Sequence, residues 1–321
     1  MLRRLILIVV VPALVAGTAA FWRLWLAAGP APGPHRVTVE EGATLASVAR
    51  KLDEQGAIPG TAKTYRAMAK IFGSSDPIQA GEFEIPKGAG GAQVLDILQH
   101  GQTVVRLITI PEGMPSILVQ EKLAAIRELT GPAPLPAEGS VLPNSYDWQK
   151  GETRAAVLKR MTDAMDRELD ALWARRKWTC PVNSKQEAVT LASVVEKETG
   201  KASERPMVAG VLCNRLRIGM ALGADATTIY PITKGKPLGR MIRRSELAAD
   251  NGYNTRRKAG LPVGPITNPG RDSIAAVLNP AKTDALYYVA DGTGGHVFAR
   301  TLAEHNANVA RWRAYRKAKG I

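Results

Sequence analysis

The side chains of this sequence best suited to chemistry are carboxyls. The string Leu191-Ala192-Ser193-Val194-Val195-Glu196-Lys197-Glu198-Thr199 closes an apolar run with two glutamates. A carboxyl set against apolar neighbours has its charged form disfavoured, so its pKa rises and it can hold a proton near neutral pH. A general acid needs that property to protonate a glycosidic oxygen. Ala188, Leu191, Ala192 and Val195 recur at i, i+3, i+4 and i+7, one face of a helix. At about 100° per residue, Glu196 lies about 40° from Ala192, at the edge of that stripe. Glu198 lies about 200° from Glu196 and points to the other side. The plain structural alternative for Glu196 is a half-exposed residue paired with Lys197 or Arg215.

Asp225 is the best second carboxylate, with an N-cap or turn role as its alternative. Glu138 sits in a loop and reads as structural. Asn214, Tyr253 and Asn254 could hydrogen-bond a ligand, or be satisfied within the fold. His296 and His305 read as structural. With four histidines, two cysteines and no H-E-x-x-H pair, no metal and no cofactor is expected. Cys180 and Cys213 are 33 residues apart, a spacing that leaves their pairing open.

These residues need elements to place them. Ser184 and Glu187 read as a capping box that starts the glutamate-bearing helix, and Gly200 ends it. A second helix follows through Val208, Val211, Leu212 and Leu216, giving a helical hairpin. Leu286–Ala290 and His296–Ala299 flank Asp291-Gly292-Thr293-Gly294-Gly295 as a β-hairpin. Thr301 and Glu304 cap a final helix whose basic end complements the helix dipole; a contact with polymer or lipid is the alternative. Upstream, strands at Val37–Val39 and Gly81–Ile85 bracket helices through Leu45–Leu52 and Lys63–Phe72. A helix at Ala92–Gln99 and a strand at Val104–Ile110 follow. The class is α+β.

The chain has 321 residues, enough for about two domains, and 45% apolar with 22% charged residues is globular composition. Its net charge of +14 favours an anionic polymer or lipid as neighbour. Six basic residues between Arg240 and Lys258 could concentrate a carboxylate-bearing polymer, or simply solubilise that surface. Leu5 to Trp22 carries no charge; eighteen helical residues span about 27 Å, close to a bilayer's hydrocarbon thickness. Trp22 and Trp25 fit an interfacial belt, and Arg3 and Arg4 a cytoplasmic tail. A cleaved signal peptide is the rival reading. Ala28 to Pro34 reads as a stiff linker. Export and the lack of an aromatic–basic stripe argue against a nucleic-acid binder.

The glutamate string resembles the signature of the MltG (YceG-like) family of endolytic murein transglycosylases. The likeness extends through Thr109-Ile110-Pro111-Glu112-Gly113, Cys213-Asn214-Arg215-Leu216, Tyr253-Asn254-Thr255, Asn268-Pro269-Gly270 and Tyr288-Val289-Ala290-Asp291-Gly292. It departs at Gly223-Ala224-Asp225-Ala226-Thr227, where the family usually reads Gln-x-Asp-Pro-Thr. It departs also at Asn144, where aspartate is favoured, and at Arg256-Arg257, where a tyrosine is common. The resemblance implies Glu196 as the catalytic acid/base; Asn214, Asp225, Tyr253 and Asn254 are then the candidate substrate contacts, through sugar hydroxyls or N-acetyl groups, with structural roles as their alternative. It implies a lyase that cuts the MurNAc–GlcNAc β-1,4 bond of nascent glycan strands, leaves 1,6-anhydroMurNAc ends and terminates elongation. The expected layout is a cytoplasmic tail (1–4), a transmembrane anchor (5–26), a linker (27–35), a LysM-like module (36–103) and a catalytic domain (104–321). The protein is then single-pass in the inner (plasma) membrane, with its catalytic domain outside the cytoplasm and peptidoglycan synthases as candidate partners. A non-catalytic peptidoglycan-binding scaffold is the alternative.

Overall fold

The computed structural model describes residues 2–177 and 179–320, with side chains from residue 11 onward. The chain divides into two compact units, Met1–Arg106 and Leu107–Ile321. In the first, helix α1 (Leu2–Phe21) runs into a π-helical turn (Trp22–Leu26). Among the described residues no helix is long and apolar enough to cross a membrane. The span expected over 5–26 begins at residues whose side chains lie outside those described.

Trp22 is exposed, but Trp25 corrects the expectation of an interfacial belt: it is 4% exposed and packs beside Tyr65, ring centroids 6.1 Å apart. Glycines make this seat possible. A Cβ at Gly91 would lie 2.7 Å from the Leu24 carbonyl oxygen and 3.0 Å from the Trp25 ring. The segment expected to be a stiff linker is instead laid against the unit. Gly29 N–H donates to Gly88 O (2.9 Å), Gly88 N–H to Ala31 O (3.3 Å), and Ala31 is buried.

The rest of this unit is β1 (His35–Val39), α2 (Leu45–Glu54), α3 (Ala62–Phe72), β2 (Gly81–Ile85) and α4 (Gly91–His100). Strands β1 and β2 pair antiparallel with Val37 opposite Phe83, both fully buried. Thr44 with Ser47, and Thr61 with Thr64, cap α2 and α3 reciprocally, satisfying N–H groups that a helix start leaves open. Leu52, Tyr65, Phe83 and Leu98 fill the core between the strands and helices.

The second unit begins with β3 (Arg106–Thr109), α5 (Ser116–Ala124), β4 (Ser145–Trp148) and the long α6 (Arg154–Ala174). Then come α7 (Lys185–Glu198), a 3₁₀ turn (Ala202–Glu204), α8 (Arg205–Arg217), α9 (Asp225–Thr233), α10 (Arg244–Leu247) and α11 (Arg271–Leu278). The hairpin β5 (Tyr287–Ala290) and β6 (His296–Ala299) precedes α12 (Leu302–Lys319). Strand β3 pairs with β4, and β5 with β6 antiparallel, placing Tyr288 opposite Phe298. Helices α8, α9 and α11 pack against α7, and α6 against α11.

Ser184 caps α7 by accepting from Glu187 N–H (3.1 Å), while the Glu187 carboxylate accepts from Asn183 N–H (2.6 Å), one residue earlier than a capping box requires. Every residue from Ala188 to Val195 is buried, so α7 is a central helix rather than a one-stripe amphipathic one. Its polar members are satisfied inside: Ser193 Oγ donates to Thr190 O (2.7 Å) and accepts from Ile266 N–H (3.0 Å). A disulfide joins Cys180 to Cys213 on α8.

Candidate active site

Both glutamates lie in the last turn of α7, but their surroundings differ in kind. The Glu196 side chain is 5% exposed and meets the buried Arg205 guanidinium at the start of α8: Arg205 Nη2 donates to Glu196 Oε1 at 3.1 Å. The same Nη2 donates to Glu112 Oε2 at 2.6 Å, and Nη1 lies 3.8 Å from Asp272 Oδ2. Gly270, the N-cap residue of α11, donates its backbone N–H to Glu196 Oε2 at 2.9 Å. A Cβ there would fall 2.1 Å from Glu112 Oε1, so a larger residue would push that carboxylate aside. This knot ties α7, α8, α11 and the Pro111–Gly113 turn together. It replaces the apolar setting and the Lys197 or Arg215 pairing expected for Glu196. Each carboxylate oxygen accepts one N–H donor in this knot.

Glu198 is the opposite case. Its Oε2 accepts from the Tyr288 hydroxyl at 2.7 Å, and Oε1 makes no hydrogen bond among the described residues. Burial pushes the carboxyl pKa up, and the nearby Asp225 charge adds to it. The Tyr288 hydrogen bond and the charges of Arg215 and His296 offset this in part. Burial beside Glu198 likewise holds the Tyr288 phenol far above its usual range, so it stays a donor. Glu198 therefore has the acid's environment that sequence periodicity assigned to Glu196.

Supporting residues converge on this point from three elements. Arg215 on α8 lies 5.7 Å from the Tyr287 and Tyr288 ring centroids; it donates to Leu286 O (2.7 Å) and Leu222 O (2.6 Å), fixing the hairpin against α8. His296 on β6 contacts Tyr288 edge-on (5.4 Å) and is held by Glu204, Nδ1 to Oε2 2.8 Å. Asp225 opens α9, more than half exposed, in an ion pair with Arg256 Nε (2.7 Å) and Nη2 (2.6 Å). Arg256 is one of the residues that depart from the family pattern, and its role here is to hold that carboxylate.

The other expected contacts are placed differently. Asn254 is 1% exposed; its amide donates to Leu247 O (3.0 Å) and Ala249 O (2.8 Å), and its oxygen accepts from Thr228 (3.2 Å) and Arg256 N–H (3.1 Å). In this structure its amide clamps the loop. Asn214 is engaged likewise, donating to Thr283 O (2.9 Å) and Ala285 O (3.0 Å) and accepting from Arg217 (2.7 Å). Tyr253 packs on Tyr230 (4.8 Å), whose hydroxyl donates to Glu138 Oε2 (3.1 Å). Glu138 also accepts from Ser116 N–H (2.9 Å), and burial raises its pKa, a structural arrangement. Among the described residues no group of three or more His, Cys, Asp or Glu side chains could hold a metal ion.

A family model described as the YceG-like family matches residues 37–311. The chain is 29% identical to an endolytic murein transglycosylase of Streptococcus pneumoniae serotype 2, over 85% of this chain and 57% of that protein. It is 28% identical to an endolytic murein transglycosylase of Bacillus subtilis, over 84% of this chain and 82% of the other. The chain thus spans little more than half the length of the Streptococcus relative. A crystal structure of a yceG-like protein from Listeria monocytogenes shares the fold, with TM-score 0.54 and 24% identity over 86% of this chain and 98% of that one.

Proposed function

The chain belongs to the YceG-like family, and from that premise we propose that it is a membrane-anchored endolytic peptidoglycan transglycosylase with Glu198 as its acid/base. The observation that carries the reading is one carboxyl on α7 whose pKa is raised by burial and whose partner is the Tyr288 hydroxyl. Glu198 donates its proton to the oxygen leaving C1 of MurNAc as the C1–O4 bond breaks. The C6 hydroxyl of the same sugar attacks C1, closing the 1,6-anhydro ring, and its proton returns to Glu198. One carboxyl suffices because the sugar supplies the nucleophile, whereas a hydrolase needs a second carboxylate across the sugar. Asp225, locked to Arg256, serves this scheme as a fixed charge that helps keep Glu198 protonated.

The decisive experiment is product analysis on purified glycan strands. The wild-type chain should release fragments with anhydroMurNAc ends, and Glu198→Gln should release none while folding normally. Reducing ends would mean hydrolysis, and no cleavage by the wild type would favour the scaffold reading.

The uncharged run Leu5–Trp22 supports a membrane anchor, with the catalytic unit outside the cytoplasm. The Cys180–Cys213 disulfide supports that placement, since such bonds persist in oxidising compartments. The strand–helix–helix–strand order from His35 to Ile85 supports a LysM-like module.

A further inference from the structure

A cavity of about 420 Å³ opens beside the last turn of α7, lined there by Lys197 and by Glu112, which shares Arg205 with Glu196; its size is within the range of small-ligand sites, about 300–1,000 Å³. Its floor is apolar, built by Met114, Leu118, Ile229, Leu238 and Ile266. Two of its lining residues are chain neighbours of the carboxylates described above: Lys197 stands between Glu196 and Glu198, and Ala226 directly follows Asp225. The charges on its rim are unequal. Glu112 is engaged by Arg205, and Lys236 pairs with Glu121. Lys197 is exposed and has no carboxylate partner among the described residues. Its ammonium stands close to the Gly113 backbone, 3.9 Å from where a Cβ would be.

We propose that this cavity binds the peptide branch of the glycan, with small side chains against the apolar floor and a branch carboxylate on Lys197. The proposal rests on the transglycosylase reading and names a second part of that substrate. The branch is attached to the same MurNAc whose C1 is attacked, so it leaves the sugar chain close to the acid. Methyl-sized side chains suit a floor of Met, Leu and Ile, and a cationic rim without its own counter-charge suits a carboxylate. An unbranched glycan would leave both features unused.

Two measurements on the full chain in detergent test this. The first is cleavage of peptide-bearing strands against strands stripped of peptide by an amidase. The wild type should show a lower KM for the peptide-bearing strands. Lys197→Gln should reduce that advantage about two- to tenfold, as expected for one hydrogen-bonded charge, and Lys197→Arg should restore it. Leu118→Phe, which narrows the floor, should reduce it as well. Equal KM values for both substrates in the wild type, or an advantage unchanged in Lys197→Gln, overturns the proposal.

The second is polarisation of a fluorescent alanyl-glutamyl tripeptide with free carboxylates. It should bind the wild type, and bind more weakly to Lys197→Gln or when its carboxylates are amidated. This arm reads the cavity even if neither strand is cut, a result that defeats the transglycosylase reading alone. Absence of tripeptide binding defeats the cavity proposal alone.

Discussion

Replacing each of the two α7 glutamates by glutamine should separate stability from activity. In Glu196→Gln, the buried Arg205 loses one of its counter-charges, and an amide NH₂ is turned toward a guanidinium that can only donate. Breaking a buried pair costs about 3–5 kcal/mol, but Arg205 keeps Glu112 at 2.6 Å and Asp272 at 3.8 Å, so about 2–3 kcal/mol is expected. A unit of about 215 residues unfolds with an entropy near 0.45 kcal/mol/K, which converts that loss to a Tm drop of about 4–7 °C.

Glu198→Gln should behave in the opposite way. The fold raises the pKa of Glu198, so its stabilising contribution is complete below the unfolded-state pKa and is lost as pH rises through the folded value. An uncharged isostere at neutral pH therefore leaves Tm unchanged or higher. Activity should fall about 10²–10⁴-fold, the usual contribution of general acid–base catalysis. Thermal unfolding followed by circular dichroism, paired with chromatography of anhydromuropeptides, reads both. If Glu198→Gln lowers Tm yet still cuts, while Glu196→Gln is stable and inert, the assignment of roles is refuted.

Removing the Tyr288 hydroxyl takes away a hydrogen bond that lowers the Glu198 pKa, so Tyr288→Phe should move the alkaline limb of the pH–rate profile upward; a downward shift contradicts the pairing. Substituting Cys180 and Cys213 together with alanine opens a 33-residue loop, and the chain-entropy relation puts the loss at roughly 3.7 kcal/mol, measurable as a lower urea midpoint. Trp25→Ala empties a closed site in the first unit and should destabilise that unit by about 3–5 kcal/mol, seen as early loss of amide protection in β1 and β2.

Much of the architecture was legible because local signals set it. Thr301 caps α12 reciprocally with Glu304, as its spacing predicts, and the alternation around Asp291-Gly292 folds into the expected hairpin. The different surroundings of the two α7 glutamates were not legible. A helical wheel needs one wet face to give an edge its meaning, and α7 is surrounded along eight residues, so Glu196 had no edge to occupy. What separates it from Glu198 is Arg205, nine positions on and across a turn, together with a tyrosine ninety positions on; neither lies at a helical spacing. Asn214 and Asn254 carry amides that serve sugars and backbone equally well, and only the carbonyls around them decide which. Trp25 deceived for a related reason: an aromatic belt and a core anchor share one composition.

The glycine-lined socket around Trp25 has a mechanical consequence. The first helix is not strung to its neighbour by slack chain but keyed into it, through Leu24 against Gly91, Gly29 against Ala89 and a ring sealed from water. Whatever grips the opening twenty residues therefore also sets the heading of the β1–β2 unit, as a bolted bracket does, and torque applied to the one turns the other.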